Sequence, residues 1–343
     1  MTSVPAGEEP PAAALPAVAE GPYFDELRVG QVFDTAPGLT LTSGRAAAHQ
    51  AIVGDRLRLP LDAALCAEVT GGRELAHPAL VWDVAIGQST LATHHVKANL
   101  FYRGLVFHRA PAIGDALRTS TEVVALRQNG SRPGRAPTGL VALRITTTDQ
   151  WARPVLDFWR CAMLPLRDPE RSTGHAADLA AVGRSPSDAA LSGASAGWRL
   201  ERFREAAGGP HFADLEEGMA WEVGGGDVVS SAPELARLTL NVAQVHHDAR
   251  AAGGAGRLVY GGHTIGIALS QATRALPGLV TVAGWHGCDH TGPVREGDTL
   301  RSGLVVERLQ PFARSGGLVH LRSRVRADGD RPVLNWRFVA VMA

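Results

Sequence analysis

The chain has 343 residues, of which 45% are hydrophobic, and its 34 basic residues balance its 34 acidic residues to a formal net charge of zero. This length favours two domains, and the hydrophobic content suffices for ordinary buried cores, which excludes global disorder. The zero net charge removes the electrostatic case for nucleic acid or an acidic membrane as the main partner. Three cysteines without paired spacing, Cys66, Cys161 and Cys288, argue against a disulfide scaffold or a thiolate zinc site.

The N-terminal region has the features of a flexible tail. Residues 1–20 are mostly Ala, Pro, Glu and Val without an amphipathic period. Glu8 and Glu9 stand where a secretion signal would carry basic residues. No apolar run reaches the ~18 residues that a spanning helix requires. We therefore expect a cytoplasmic protein with no membrane partner and no nucleic-acid partner.

The rest of the chain divides into two halves of nearly equal length, 21–167 and 198–343. Between them, residues 168–197 are rich in Ala, Ser, Gly and Asp and contain no aromatic residue, a composition typical of a linker with at most one short helix. We expect one domain in each half.

The two halves repeat each other. IGDALRTSTEVVALRQ (113–128) matches EGDTLRSGLVVERLQ (296–310), and IGQST (86–90) matches LSQAT (269–273). Both matches have the same separation of 183 residues. A constant separation over distant segments indicates an internal duplication.

Each half shows the same order of elements. Apolar periodicity predicts one helix near 44–53 or 232–246 and a second near 78–92 or 263–275. Alternating β-branched and aromatic residues then predict strands at 95–107, 115–127, 139–148 and 154–164, and at 279–286, 298–309, 317–327 and 332–342. The short turns between these strands indicate an antiparallel sheet, so the fold class is α+β.

An antiparallel sheet wrapped around a long apolar helix, duplicated in one chain, resembles the double hot-dog fold of the MaoC-like acyl-thioester hydratases. The resemblance rests on EGDTLRSGLVVE (296–307), RLVYGGHTIGIA (257–268) and LTLNVAQVHHD (238–248), the last with asparagine where aspartate is commoner. Over 21–343 the chain is similar to the mesaconyl-CoA hydratases. The resemblance implies two tandem hot-dog domains and reversible hydration of a 2-enoyl-CoA, mesaconyl-CoA to 3-methylmalyl-CoA, without a cofactor.

Such a hydration needs an acid-base group for the protons of water, and His246 is the candidate because imidazole titrates near neutrality. The alternative is that His246 caps a helix or lies on a solvated face. The family pattern gives the position five residues earlier to an acidic or amide residue, here Asn241, which can orient water but cannot accept its proton. Five residues of regular helix turn about 500°, so this segment must kink for both side chains to converge. Asp248 is the nearest carboxylate that could assist, with a capping or salt-bridge role as its alternative.

The thioester oxygen needs fixed hydrogen-bond donors, which the start of the second long helix can supply. Gly261 and Gly262 stand there, and we expect the Gly262 N–H to bind the oxygen, with Tyr260 and His263 beside the substrate. The alternative is that the two glycines serve a tight turn between strand and helix.

Strand alternation predicts His286, Cys288 and His290 on one face, where His286 would contact the acyl group; the alternative is that these are polar groups satisfied within the sheet. A dicarboxylic acyl chain would also need a cation at its far end. Arg257 and Arg337 are examples, but the sequence does not select between them and the other arginines, and the alternative for each is a solvated surface charge.

The first half is expected to lack a site, because GDRLRLPLD (54–62) aligns Asp55 with Asn241 but Pro60 with His246. The expected partner is an acyl-CoA substrate, and a homodimer is left open. Three alternatives remain: a non-catalytic thioester-binding protein, a dehydratase of carrier-protein-bound acyl chains, and a metal site using His246, His247 and Asp248. We expect no metal, since adjacent histidines point apart.

Overall fold

A computed structural model of the chain describes residues 19–131, 133–252, 256–312 and 315–343. Most of the predicted tail, 1–18, lies outside the described residues. The strands are β1 (Val32–Phe33), β2 (Leu39–Thr40), β3 (Ala98–Phe107), β4 (Ala116–Gln128), β5 (Thr138–Thr148), β6 (Pro154–Pro165), β7 (Ala220–Glu222), β8 (Asp227–Val228), β9 (Leu279–His290), β10 (Thr299–Pro311), β11 (Gly317–Ala327) and β12 (Arg331–Met342).

The α-helices of the described residues are α1 (Ser43–Val53), α2 (Arg58–Leu61), α3 (Ala63–Thr70), α4 (Pro78–Gln88), α5 (Asp188–Gly193), α6 (Leu200–Ala206), α7 (Ala232–Leu238) and α8 (Gly261–Ala275). Both ends of α1 and of α8 lie within two residues of the predicted positions. Short 3-10 segments occur at Phe24–Glu26, Ser89–Thr93, Leu179–Ala181, Phe212–Asp214, Gln244–His246 and Asp328–Asp330. No helix among the described residues is long and apolar enough to cross a membrane.

One antiparallel sheet runs through both halves. Its order is β1-β4-β5-β6-β3-β9-β12-β11-β10-β7, with β2 on β4 and β8 on β10. The halves join where β3 pairs with β9, and Tyr102 there opposes Cys288. Each half therefore contributes the same four long strands, as the repeat predicts.

The sheet curls around α4 and α8, which pack against each other. Every residue of α4 is buried, as is each residue of α8 from Gly262 to Thr273. Trp82 of α4 contacts Trp285 of β9 edge to face, with ring centroids 4.9 Å apart, so a single core spans both halves. This is the α+β arrangement predicted from the sequence.

Two helix predictions were too long. The helix predicted over 232–246 ends at Leu238, because Leu240 takes a left-handed conformation with φ of 61° and turns the chain away. The helix predicted to reach residue 92 changes at Ser89 to a 3-10 segment.

The predicted linker lies against the sheet instead of standing free. Arg103 of β3 donates hydrogen bonds to the carbonyls of Leu179 and Val182, and Asp188 of α5 pairs with Arg308 at 2.6 Å. Leu191 of α5 is fully buried. The domain boundaries at 167 and 198 stay predictions.

Candidate active site

A cavity of about 240 Å³ lies between the two halves. Its polar lining comes from both: Thr90, Lys97, Asn99, Tyr102 and Arg160 from the first half, and Asn241, His246, Tyr260, Thr264, His290 and Thr291 from the second. The described part of the wall contains no aspartate or glutamate. The cavity is smaller than the roughly 300–1,000 Å³ of sites for drug-sized ligands, which favours a short acyl group.

His246 is buried in the cavity wall with its ring held in one orientation. Its Nδ1 lies 2.8 Å from the carbonyl oxygen of Leu258, so Nδ1 donates a hydrogen bond and the neutral ring keeps its lone pair on Nε2. Burial lowers the pKa of His246 to about 4, which the Leu258 carbonyl opposes and the nearby Arg160 charge reinforces. The ring is therefore neutral at pH 7 and can accept a proton.

Asn241 lines the same cavity, so the structure brings the two predicted residues together. Between Leu238 and Gln244 the chain is not helical, and Leu240 in this stretch has a φ of 61°. The predicted kink is thus confirmed, and it includes a backbone conformation that costs a non-glycine residue about 1–3 kcal/mol. Oδ1 of Asn241 accepts the N–H of Ala243 at 3.0 Å, which fixes the direction of the side-chain amide.

The first half holds this segment in place. Thr90 Oγ1 accepts the N–H of Val242 at 2.9 Å, and the carbonyl of His94 accepts the N–H of Gln244 at 3.0 Å. A Cβ on Gly87 of α4 would lie only 1.8 Å from the carbonyl oxygen of Thr239. The active-site segment of the second half therefore depends on close backbone packing against the first half.

The N-terminus of α8 faces the cavity through Tyr260 and Gly261. The N–H of His263 is bonded to the carbonyl of Tyr260 at 3.0 Å, but within the described residues the N–H groups of Gly261 and Gly262 have no acceptor. A Cβ on Gly261 would lie 2.6 Å from Nε2 of His290, so glycine keeps this side of the cavity open. The amide of Gly261 is therefore positioned to stabilise negative charge in the cavity.

Two of the predicted substrate-binding residues, Gly262 and His263, do not line the cavity. Gly262 does not line the cavity, and a Cβ there would lie 2.0 Å from Oδ1 of Asp83. Glycine at 262 thus permits the packing of α8 on α4, and the cavity wall does not support the expectation that the Gly262 N–H binds the thioester oxygen. His263 is fully buried outside the cavity wall, and both of its ring nitrogens lack hydrogen-bond partners among the described residues.

Asp248 is exposed and does not reach the cavity. Its Oδ1 accepts the N–H of Arg250 at 2.8 Å within a turn, a local structural contact and not a helix cap. His247 turns back and bonds through Nε2 to the carbonyl of Asn241 at 2.6 Å. Within the described residues, no group of three or more His, Cys, Asp or Glu side chains has the arrangement of a metal site.

The prediction for His286 is wrong because β9 contains a β-bulge. The pairing of β9 with β12 skips a residue at His286, so Trp285 and Cys288 both enter the core. His286 points to the outer face, where its Nε2 lies 2.8 Å from Nδ1 of His320. It is His290, two positions beyond Cys288, that lines the cavity.

The arginine that reaches the cavity is Arg160, which the sequence analysis missed. The two predicted cations are occupied elsewhere: Arg257 pairs with Glu296 at 2.6 Å and Arg337 with Glu307 at 2.7 Å. Arg160 lies on the inward face of β6, a strand that was predicted at 154–164. A charged residue at an inward position of that alternation was the available signal.

The first half lacks the corresponding groups. The helix α4 begins with Pro78, which has no N–H to offer an oxyanion. Asp55, which aligns with Asn241, lies 2.8 Å from Nε2 of the buried His77. Pro60 lines a separate apolar cleft. These observations agree with the expectation of a single site per chain.

Comparison with known proteins identifies the family of the chain. A family model described as mesaconyl-CoA hydratase matches residues 15–302. The beta-methylmalyl-CoA dehydratase of Chloroflexus aurantiacus is 27% identical over 322 residues, which cover 91% of this chain and 89% of that protein.

Two solved structures share the fold. A conserved hypothetical protein from Mycobacterium tuberculosis, described as having a double hotdog fold, matches with a TM-score of 0.87 and 56% identity over 94% of this chain and 99% of that chain. A putative MaoC domain protein dehydratase from C. aurantiacus matches with a TM-score of 0.82 and 24% identity, over 94% of this chain and 97% of that chain. The predicted double hot-dog fold is confirmed.

Proposed function

The chain belongs to the mesaconyl-CoA hydratase family of MaoC-like hydro-lyases, and we propose that it interconverts mesaconyl-CoA and 3-methylmalyl-CoA with His246 as the acid-base group. One observation carries the proposal. The Leu258 carbonyl fixes Nδ1 of His246 as the protonated nitrogen, leaving Nε2 as a base in a cavity that the start of α8 also lines.

The proposed reaction adds water across the C2=C3 bond. Nε2 of His246 takes a proton from water as the water oxygen bonds to C3, and the π electrons move to the thioester oxygen as an enolate. The enolate then collapses and C2 takes the proton from Nε2, which returns the ring to its neutral form. Asn241 orients the water, because an amide cannot accept its proton. One imidazole serving both steps delivers the hydroxyl and the proton to the same face.

The N–H group of Gly261 is the proposed donor to the enolate oxygen, because Gly261 lines the cavity and Gly262 does not. Within the described residues this N–H has no protein acceptor, and it lies in the first turn of α8, where the helix dipole favours negative charge. Removing a single donor of this kind typically costs 10²- to 10³-fold in kcat. Backbone donors need no reorganisation during the reaction.

The phosphates of CoA have a matching surface outside the cavity. A groove that adjoins the cavity is lined by Lys97, Arg250 and Arg295, and it shares Lys97, Leu258 and Pro293 with the cavity wall. We propose that the pantetheine arm leaves the cavity here, so that the phosphates meet the three cations.

The test is His246→Gln, assayed with mesaconyl-CoA by loss of enoyl-thioester absorbance. We expect kcat to fall by about 10²- to 10⁴-fold, the range for losing a general acid-base group. His108→Gln, at an exposed histidine, is the matched control and should keep wild-type activity. Turnover by His246→Gln within tenfold of the wild type would reject the assignment.

A further inference from the structure

We propose that Arg160 binds the free carboxylate of the acyl group and so selects dicarboxylic enoyl thioesters over their monocarboxylic counterparts. The inference rests on the proposed function and adds a residue that reads the substrate. Its basis is a buried positive charge, in the acyl cavity, that the described protein does not neutralise.

Arg160 is only 3% exposed, yet no Asp or Glu oxygen of the described residues lies within 4.0 Å of its guanidinium. Its Nη2 donates to the carbonyl of Ser89 at 3.1 Å and to Oγ1 of Thr93 at 2.7 Å, which fix the plane of the group. Its Nε has no partner among the described residues. Burying a charge without a counter-charge is costly, so a site that keeps one is prepared for an anion.

The fold does not require an arginine at this position. On β3 and β6, Tyr102 opposes Arg160, and in the repeat on β9 and β12, Trp285 opposes Phe338. Tyr102 and Trp285 are themselves separated by the 183 residues of the repeat. The second half therefore fills the equivalent inward position with the apolar ring of Phe338. The guanidinium is found only in the first half, where this position lines the cavity.

The charges of the cavity suit a substrate with two anionic ends. Lys97 is exposed at the mouth, beside the proposed phosphate groove, whereas Arg160 is buried. No acidic side chain of the described wall competes for either cation. A planar guanidinium with free N–H groups can hold a carboxylate by two parallel hydrogen bonds.

The position also suits the chemistry. In mesaconyl-CoA the free carboxylate is attached to C3, the carbon that receives the hydroxyl group, so its partner must lie near the base. The charge of Arg160 is close enough to His246 to contribute to the lowered pKa of that ring. A bound carboxylate would offset this charge and raise the pKa of His246, although burial remains the main cause of its low value.

The test compares mesaconyl-CoA with tiglyl-CoA, which carries a methyl group in place of the carboxylate and is otherwise the same acyl thioester. We expect Arg160→Met to lower kcat/KM for mesaconyl-CoA by about 100-fold or more and to change kcat/KM for tiglyl-CoA by less than about fivefold. The ratio of the two constants does not depend on how much of the variant folds. Arg144→Met, at an exposed arginine on the neighbouring β5, is the control and should keep the wild-type ratio.

Binding separates this inference from the proposed reaction. In the His246→Gln background, calorimetry should give a Kd for mesaconyl-CoA at least tenfold below that for tiglyl-CoA, and adding Arg160→Met should remove the difference. Equal Kd values for both thioesters with Arg160 present, or a preference that survives its removal, would overturn the inference. A wild-type protein that shows this selective binding but hydrates neither thioester would overturn the proposed function and leave the role of Arg160 supported.

Discussion

The hydroxyl group of Tyr260 donates a hydrogen bond of 3.0 Å to Oδ1 of Asp83, which joins the residue before α8 to the middle of α4. The other carboxylate oxygen of Asp83 lies 3.1 Å from Nε2 of His49. Asp83 is completely buried, and Tyr260 lines the cavity. The wall of the candidate active site is therefore tied to the first half by a buried polar contact between the two central helices.

Tyr260→Phe should lower the free energy of unfolding by about 1–3 kcal/mol, because a buried carboxylate loses one of its two side-chain donors. Urea denaturation at pH 7 measures the effect. Tyr23→Phe, at a partly exposed tyrosine, is the matched control and should change stability by less than about 0.5 kcal/mol. An equal stability for the two variants would show that the Tyr260 contact contributes nothing.

Gly87→Ala should impair catalysis without touching the substrate. The added Cβ would lie 1.8 Å from the carbonyl of Thr239, so the segment that carries Asn241 must move. Misplacement by about 1 Å can cost 10²-fold in rate, and we expect a loss in kcat of that order. Steady-state kinetics with mesaconyl-CoA provide the measurement.

The control for this variant is Gly44→Ala on α1, where a Cβ would meet only Thr42 Oγ1 at 3.9 Å. Replacing a helical glycine by alanine where there is room stabilises a helix by up to about 1 kcal/mol, and activity should be unchanged. If Gly87→Ala behaves like Gly44→Ala, the close packing of α4 on the active-site segment is not needed for turnover.

Asn241→Asp should move the acid limb of the pH–rate profile to higher pH. A carboxylate in the same cavity stabilises the protonated ring of His246, whose pKa of about 4 would then rise. In the wild type, the titration of His246 should leave kcat/KM constant from pH 8 down to about 5. Below that, kcat/KM should fall as the ring is protonated near pH 4. A profile of Asn241→Asp that overlays the wild type would place the two side chains too far apart to interact.

The sequence predicted those features that depend on local pattern or on the repeat. Alternation and turns located the long strands, and the family segments identified Asn241, His246, Tyr260 and Gly261, which all line one cavity. The kink followed from the family pattern, which pairs Asn241 with His246, together with helix geometry, since five helical residues cannot bring two side chains together.

The features that the sequence did not predict depend on interruptions of the regular strand alternation and on contacts between residues that are distant in sequence. A single-residue bulge reversed the expected face of His286, and regular alternation cannot foresee a bulge. We predicted the role of Gly262 from its position at the start of α8. The structure shows that glycine is needed there because a Cβ would collide with Asp83 of the other half. Arg160 was not predicted because we named only arginines of the second half, near the glycine pair and on the last strand. The cavity is lined by residues of both halves.

His263→Leu should make the stability of the protein less dependent on pH while preserving activity. Burial lowers the pKa of His263 to about 4, as it does for His246 and His290. The pKa of a histidine in the unfolded chain is about 6.5. Between pH 6.5 and 4 the unfolded state therefore binds more protons than the folded state, and the free energy of unfolding decreases as the pH is lowered. Each such histidine contributes stability that is fully present above about pH 6.5 and lost progressively towards pH 4.

The predicted size of the effect is about 1 kcal/mol less loss of unfolding free energy between pH 6 and 5 in His263→Leu than in the wild type. Leucine suits the position, because Leu80 occupies the equivalent place in α4 and both ring nitrogens of His263 lack partners among the described residues. Urea denaturation at pH 7, 6 and 5 measures the slope, with His108→Leu as a surface control. Since His263 lies outside the cavity wall, kcat with mesaconyl-CoA should stay within about threefold of the wild type. A large loss of turnover at unchanged stability would instead indicate that His263 contributes to substrate binding.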